Sequence, residues 1–124
     1  MLKEEGKNVW LFPDGELPDI DKDSPYEAHE ALMVLNTADK NASIKLNIYF
    51  SDQEPVLGIP LSVKARRVRC FRLDNPQDIG GINIPKHVQY ALRIESDVKI
   101  VATFGRLDTS SERLAYYVGG AYSY

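Results

Sequence analysis

The sequence predicts an all-β domain, an antiparallel two-sheet β-sandwich of about eight strands. Three observations lead there. The dominant hydrophobic period is two, turn-forming residues recur between the alternating runs, and no long segment shows a 3.6-residue period.

Taken in order, the first strand candidate is Asn8–Phe12, closed by the turn chemistry of Pro13-Asp14-Gly15. A long, acidic, proline-bearing loop, Leu17–Glu27, follows. Ala28–Asn36 is apolar on both faces, as in a central strand or one covered by another subunit. After Asp39-Lys40-Asn41, the run Ser43–Ser51 puts Ile44, Leu46, Ile48 and Phe50 on one face and Lys45, Asn47 and Tyr49 on the other. Ile59–Lys64 and Arg66–Leu73 are the next candidates, and Asp74-Asn75-Pro76 and Gly80-Gly81 mark turns. In Val88–Glu95, Val88, Tyr90, Leu92 and Ile94 alternate with polar residues. Ser96-Asp97 fits a tight hairpin into Val98–Leu107, again apolar on both faces. The spacing Thr109-Ser110-Ser111-Glu112 allows one helical turn at 109–113 before a last strand, Leu114–Ala121.

The 124 residues suit one domain, 1–124, large enough to bury a core without a metal or disulfide staple. Cys70 is the one cysteine, and no signal-peptide pattern opens the chain, so the expected location is cytoplasmic. No apolar run approaches the roughly 18–20 residues of a spanning helix, so contact with a membrane would go through a partner. The net charge of −3 argues against a dedicated nucleic-acid binder. Yet the charge is uneven: residues 1–30 carry nine acids against three lysines, and Lys64–Arg72 carries five bases and no acid. Two solvated surfaces would explain this, as would a head-to-tail contact or an anion site.

Catalytic frameworks are missing from the sequence. It holds no Walker loop, Cys-x-x-Cys, His-Glu-x-x-His or Gly-x-Ser-x-Gly pattern, and with two histidines a closed zinc site would lean on carboxylates. The expectation is a non-enzymatic domain with no metal and no cofactor. His29 and Glu30 are adjacent in a strand, so they point to opposite faces: one is expected buried with a partner, the other exposed. If Val68 and Cys70 face the core, Arg66 and Arg72 occupy the rims of one face while Arg67 and Arg69 face outward, and Cys70 is a small buried hydrophobe. Rim arginines either tie down loops through carboxylates or grip an anionic ligand. Arg106 is placed to meet Glu30 or a ligand, and Trp10 reads as core. Tyr49, on the polar face of its strand, reads as a contact residue.

Several runs together resemble the sensory rhodopsin transducer family: His29-Glu30, Val34-Leu35-Asn36, Ile48–Val56 with its Tyr-x-Ser-Asp-x-Glu-Pro pattern, Val63–Arg67, and Arg106-Leu107-Asp108. The resemblance spans roughly Asn8 to Tyr122. It implies a β-sandwich that assembles as a homo-oligomer, with a tetramer favoured. It also implies membership of a wider group of small-molecule, sugar-like-ligand-binding domains. The ligand-binding candidates carried over are Glu30, Asn36, Tyr49, Asp52, Arg66, Arg67, Arg106 and Asp108. Two functions follow. One is a cytosolic binding or sensory module for a small polar or anionic molecule. The other is an adaptor that docks on a membrane photoreceptor or another protein, through the acidic loop and the aromatic tail Tyr116–Tyr124.

Overall fold

The computed structural model describes residues 4–19, 23–109 and 114–124. Among these residues, eight strands and one 3-10 helix run in the order β1 (Lys7–Glu16), β2 (His29–Asn36), β3 (Ala42–Phe50), β4 (Val56–Val63), β5 (Arg67–Arg72), the helix Pro76–Ile79, β6 (Gln89–Asp108), β7 (Ala115–Gly119) and β8 (Tyr122–Ser123). Every pairing is antiparallel. The all-β sandwich is what the period-two pattern predicts. The helical turn expected at 109–113 falls on residues 110–113, outside the described part.

The two sheets share one strand. The first half of β6 pairs with β3 and β1, in a sheet ordered β4-β3-β6-β1-β8. Its second half pairs with β2 and β7, and β5 completes a second sheet beyond β2. The hairpin expected at Ser96-Asp97 therefore does not form, and a single 20-residue strand passes from sheet to sheet. Such sheet switching through a bend makes the corner of a sandwich. The turn-type residues are occupied elsewhere: Asp97 Oδ1 accepts the Ser43 N–H at 2.8 Å, and Asn8 Nδ2 donates to the Ser96 carbonyl at 3.0 Å. Neighbouring strands thus use polar groups that would otherwise close a turn.

The core lies between the sheets. Phe12, Ile44, Leu46, Ile48, Leu92 and Ile94 come from the first; Leu32, Val34, Phe71, Ala102 and Phe104 from the second. Cross-strand register places Leu92 between Phe12 and Ile48, and Leu32 between Phe71 and Phe104. Trp10 packs partly buried against this core, its Nε1–H donating to the Ile100 carbonyl. The β4 edge carries Pro60, which has no ladder donor, and Gly58 at φ +75°; both discourage edge-to-edge pairing.

In β5 the inward phase is opposite to the expected one. Phe71 is fully buried, whereas Val68 and Cys70 are exposed on the outer face. One residue of register exchanges the two faces of a strand, and the larger ring of Phe71 takes the core. Arg72 then lies on the outer face with Cys70, while Arg69 shares the inward phase of Phe71. The turn at Asp74-Asn75-Pro76 winds into the 3-10 helix, with Asn75 capping the Gln77 N–H and Gly80 ending it at φ +68°.

Candidate functional site

At one end of the sandwich, Glu30 of β2 is completely buried. Its Oε1 accepts the Tyr90 hydroxyl at 2.8 Å and the Glu16 N–H at 2.8 Å, and its Oε2 takes the Arg106 Nε–H at 2.7 Å. One carboxyl thus ties together the end of β1 and both halves of β6. Burial pushes the Glu30 carboxyl up, more than Arg106 and Tyr90 hold it down. Burial, then the nearby Glu30 charge, pushes the Tyr90 phenol up as well. His29, as expected of its neighbour, is only half-buried, with its ring nitrogen 2.7 Å from the Glu27 carbonyl. Arg106 meets Glu30, and Asp108 closes β6 just beyond it.

At the opposite end of β2, Asn36 is also fully buried. Its Nδ2 reaches the carbonyls of Lys40 (2.8 Å), Val63 (3.1 Å) and Lys64 (3.3 Å), and its Oδ1 accepts the Ala38 N–H (3.0 Å). The amide is a clamp for the β2–β3 and β4–β5 turns, with its capacity spent on backbone. Arg66 sits beside it in a left-handed turn position, φ +56°, and pairs with Asp39 at 3.7 Å. Arg67 is exposed and bonds to the Arg66 carbonyl.

Tyr49 and Asp52 belong to the Glu30 end, but on the outside of the first sheet. Tyr49 is partly exposed and borders a shallow hollow of about 200 Å³ with Pro13, Ser51 and Gln89; Asp52 is exposed in the following turn. The eight candidates therefore form three groups: Glu30, Arg106 and Asp108; Asn36, Arg66 and Arg67; Tyr49 and Asp52. Arg66 and Arg106 lie at opposite ends of the second sheet, which the register Glu30↔Arg106 and Asn36↔Arg67 makes plain.

Residues outside the candidate set form a larger feature. The outer face of the second sheet exposes Val68 (68%), Val118 (57%), Tyr116 (59%), Val101 (41%) and Leu35 (40%). Cys70 and Met33 pair across strands on the same face. These residues come from all four strands of that sheet, so the apolar surface is continuous. The signal in the sequence was the two-faced apolar character of 28–36 and 98–107; the contribution of β5 was hidden by its inverted phase. The aromatic tail folds back as β8 along β1, with Tyr124 exchanging backbone hydrogen bonds with Val9 (2.9 and 3.0 Å) and Tyr122 and Tyr124 exposed.

The Glu30 and Asn36 side chains are spent on bonds within the protein, and the molecule is a β-sandwich with one bare apolar sheet face. Among the described residues, no group of His, Cys, Asp and Glu is arranged to hold a metal, and no helix is long and apolar enough to cross a membrane. The family described as Anabaena sensory rhodopsin transducer matches residues 5–123, and the chain belongs to that family. Solved structures share its fold, among them these two. The Thermotoga maritima 1070 crystal structure has a TM-score of 0.83 and 28% identity, covering 96% of each chain. The Anabaena sensory rhodopsin transducer has a TM-score of 0.73 and 32% identity over 86% of this chain and 93% of that one. No curated protein matches the chain.

Proposed function

We propose that this chain is a non-enzymatic cytoplasmic sensory module that works as a homo-oligomer, a tetramer being favoured, and relays a signal through protein contacts. The observation that carries this is the apolar outer face spread over β5, β2, β6 and β7. A patch of that kind marks an interface. Its centre holds no charged side chain, so a second copy can cover it without burying an unpaired ion, and a self-complementary face suits symmetric assembly. The related transducer from Anabaena supports a signalling role, and a membrane photoreceptor is the partner that its name suggests. Exposed Tyr122 and Tyr124, on an edge strand, offer a separate surface for such a partner.

The test is mass. Light scattering should find an oligomer for the native chain and a monomer for Val68→Lys with Leu35→Glu, both with native circular dichroism. A monomeric native chain would remove the proposal. Binding of a small polar or anionic ligand is a second reading, supported by a polar groove outside the face.

A further inference from the structure

A groove of about 730 Å³ runs along the β4 side of the sandwich and lies in the size range of small-molecule sites. Its lining includes Lys45 of β3, Arg69 of β5, and the acids Asp78, Glu95 and Asp97. Counted by formal charge the groove is not basic, but its charges differ in what they are already doing.

Each acid is committed. Asp78 Oδ2 accepts the Arg72 N–H at 2.9 Å, and its Oδ1 lies 3.5 Å from Asn75 Nδ2. Glu95 Oε2 lies 3.4 Å from Arg93 Nη1. Asp97 accepts the Ser43 N–H with one oxygen and lies 3.5 Å from Lys40 Nζ with the other. The two cations are not committed to carboxylates. Arg69 donates one Nη1–H to the Ser62 carbonyl at 2.9 Å and stacks 4.6 Å from the centre of the Phe71 ring, leaving its other donors unclaimed among the described residues. Lys45 makes no hydrogen bond or ion pair among those residues, although Glu95 faces it across the ladder.

Arg69 is thus held by a carbonyl and a buried ring with its guanidinium edge open, the form suited to gripping an oxyanion. Lys45 supplies a second charge, and the Ser43 and Ser62 hydroxyls and the Pro60 ring supply polar and apolar walls. We propose that this groove binds a small carboxylate- or phosphate-bearing molecule, with Arg69 as its fork and Lys45 as its second cation. The inference rests on the reading of the chain as a binding module and adds to it the place and charge of the ligand.

Titration of the native oligomer with inorganic phosphate and with malonate, followed by amide NMR, tests it. Saturable shifts centred on Ser43, Ser62 and Arg69 are expected, with affinity weakened about tenfold or more in Lys45→Gln/Arg69→Gln and unchanged in Lys64→Gln. Stronger binding of phosphate would point to a phosphate ester, and of malonate to an organic acid. Absence of saturable shifts, or shifts that persist in the double variant, would overturn it. Light scattering on the same samples separates the two ideas: an intact oligomer without ion binding removes only the groove, whereas a native monomer removes the assembly.

Discussion

The Tyr90 hydroxyl donates to the Glu30 carboxyl at 2.8 Å, joining the two sheets of the sandwich at the end where β6 begins. Arg106, from the far end of the same strand, takes the other carboxyl oxygen at 2.7 Å. One strand therefore contributes to both sides of the carboxyl because it changes sheets between its ends.

Removing the cation should be costly. Arg106→Leu leaves Glu30 buried without its charged partner, and loss of one member of a buried pair costs about 3–5 kcal/mol. Urea unfolding at pH 7 should show a lower midpoint with an unchanged slope. A loss under about 1 kcal/mol would mean that Glu30 needs no counter-charge.

The same network sets a pH dependence. Glu30 is held above its ordinary value of 4.5, chiefly by burial, so between pH 4.5 and that raised value the folded state keeps a proton that the unfolded chain releases. Its contribution is fully present below pH 4.5 and declines as pH rises through the raised folded value. Glu30→Gln cannot titrate. The stability advantage of the native chain over Glu30→Gln should therefore be larger at pH 4 than at pH 7, as read from paired urea curves. An advantage that grows toward neutral pH would reverse the sign assigned to the burial of Glu30.

Gly15 provides the space for Tyr90. A Cβ at Gly15 would stand 2.5 Å from the Tyr90 ring. Gly15→Ala must displace the phenol and disturb its bond to Glu30, at a cost of about 1–3 kcal/mol from overpacking. The melting temperature should fall in Gly15→Ala and not in Gly120→Ala, where the added Cβ meets nothing within 4 Å and the backbone is not left-handed. Equal losses in both would mean that the contact with Tyr90 is not the cause.

Cys70 reports on the apolar face. Its thiol is exposed in the single chain, where partial desolvation on the sheet face pushes it up. Under the proposed assembly it should resist a thiol reagent in the native chain and react at the rate of an accessible thiol in Val68→Lys/Leu35→Glu. Equal rates would show that the native chain leaves this face uncovered.

Much of this was legible in the residues themselves. The alternation in 43–51 and 88–95 gives the correct inward faces, and His29-Glu30 divides as strand geometry demands. The continuous β6 also left a trace. Tyr90, Leu92, Ile94, Ile100, Ala102 and Phe104 keep one even-numbered phase across Ser96-Asp97, whereas a two-residue hairpin would set odd positions beside Ile94 and Leu92. The turn propensity of Ser96-Asp97 obscured it. In β5, apolar Val68 and Cys70 suggested the wrong face because Phe71 and Leu73 compete for the core in the opposite phase.

The sequence by itself determined the all-β class, the antiparallel character and the family, since periodicity and local motifs are properties of neighbouring residues. The tertiary structure decided which polar residues converge. Glu30, Tyr90 and Arg106 meet across 76 residues or fewer, and Arg69 and Lys45 line one groove from different sheets. Such meetings depend on how sheets stack and where a strand bends. A period of two says which face a residue occupies, but not which distant strand lies opposite it.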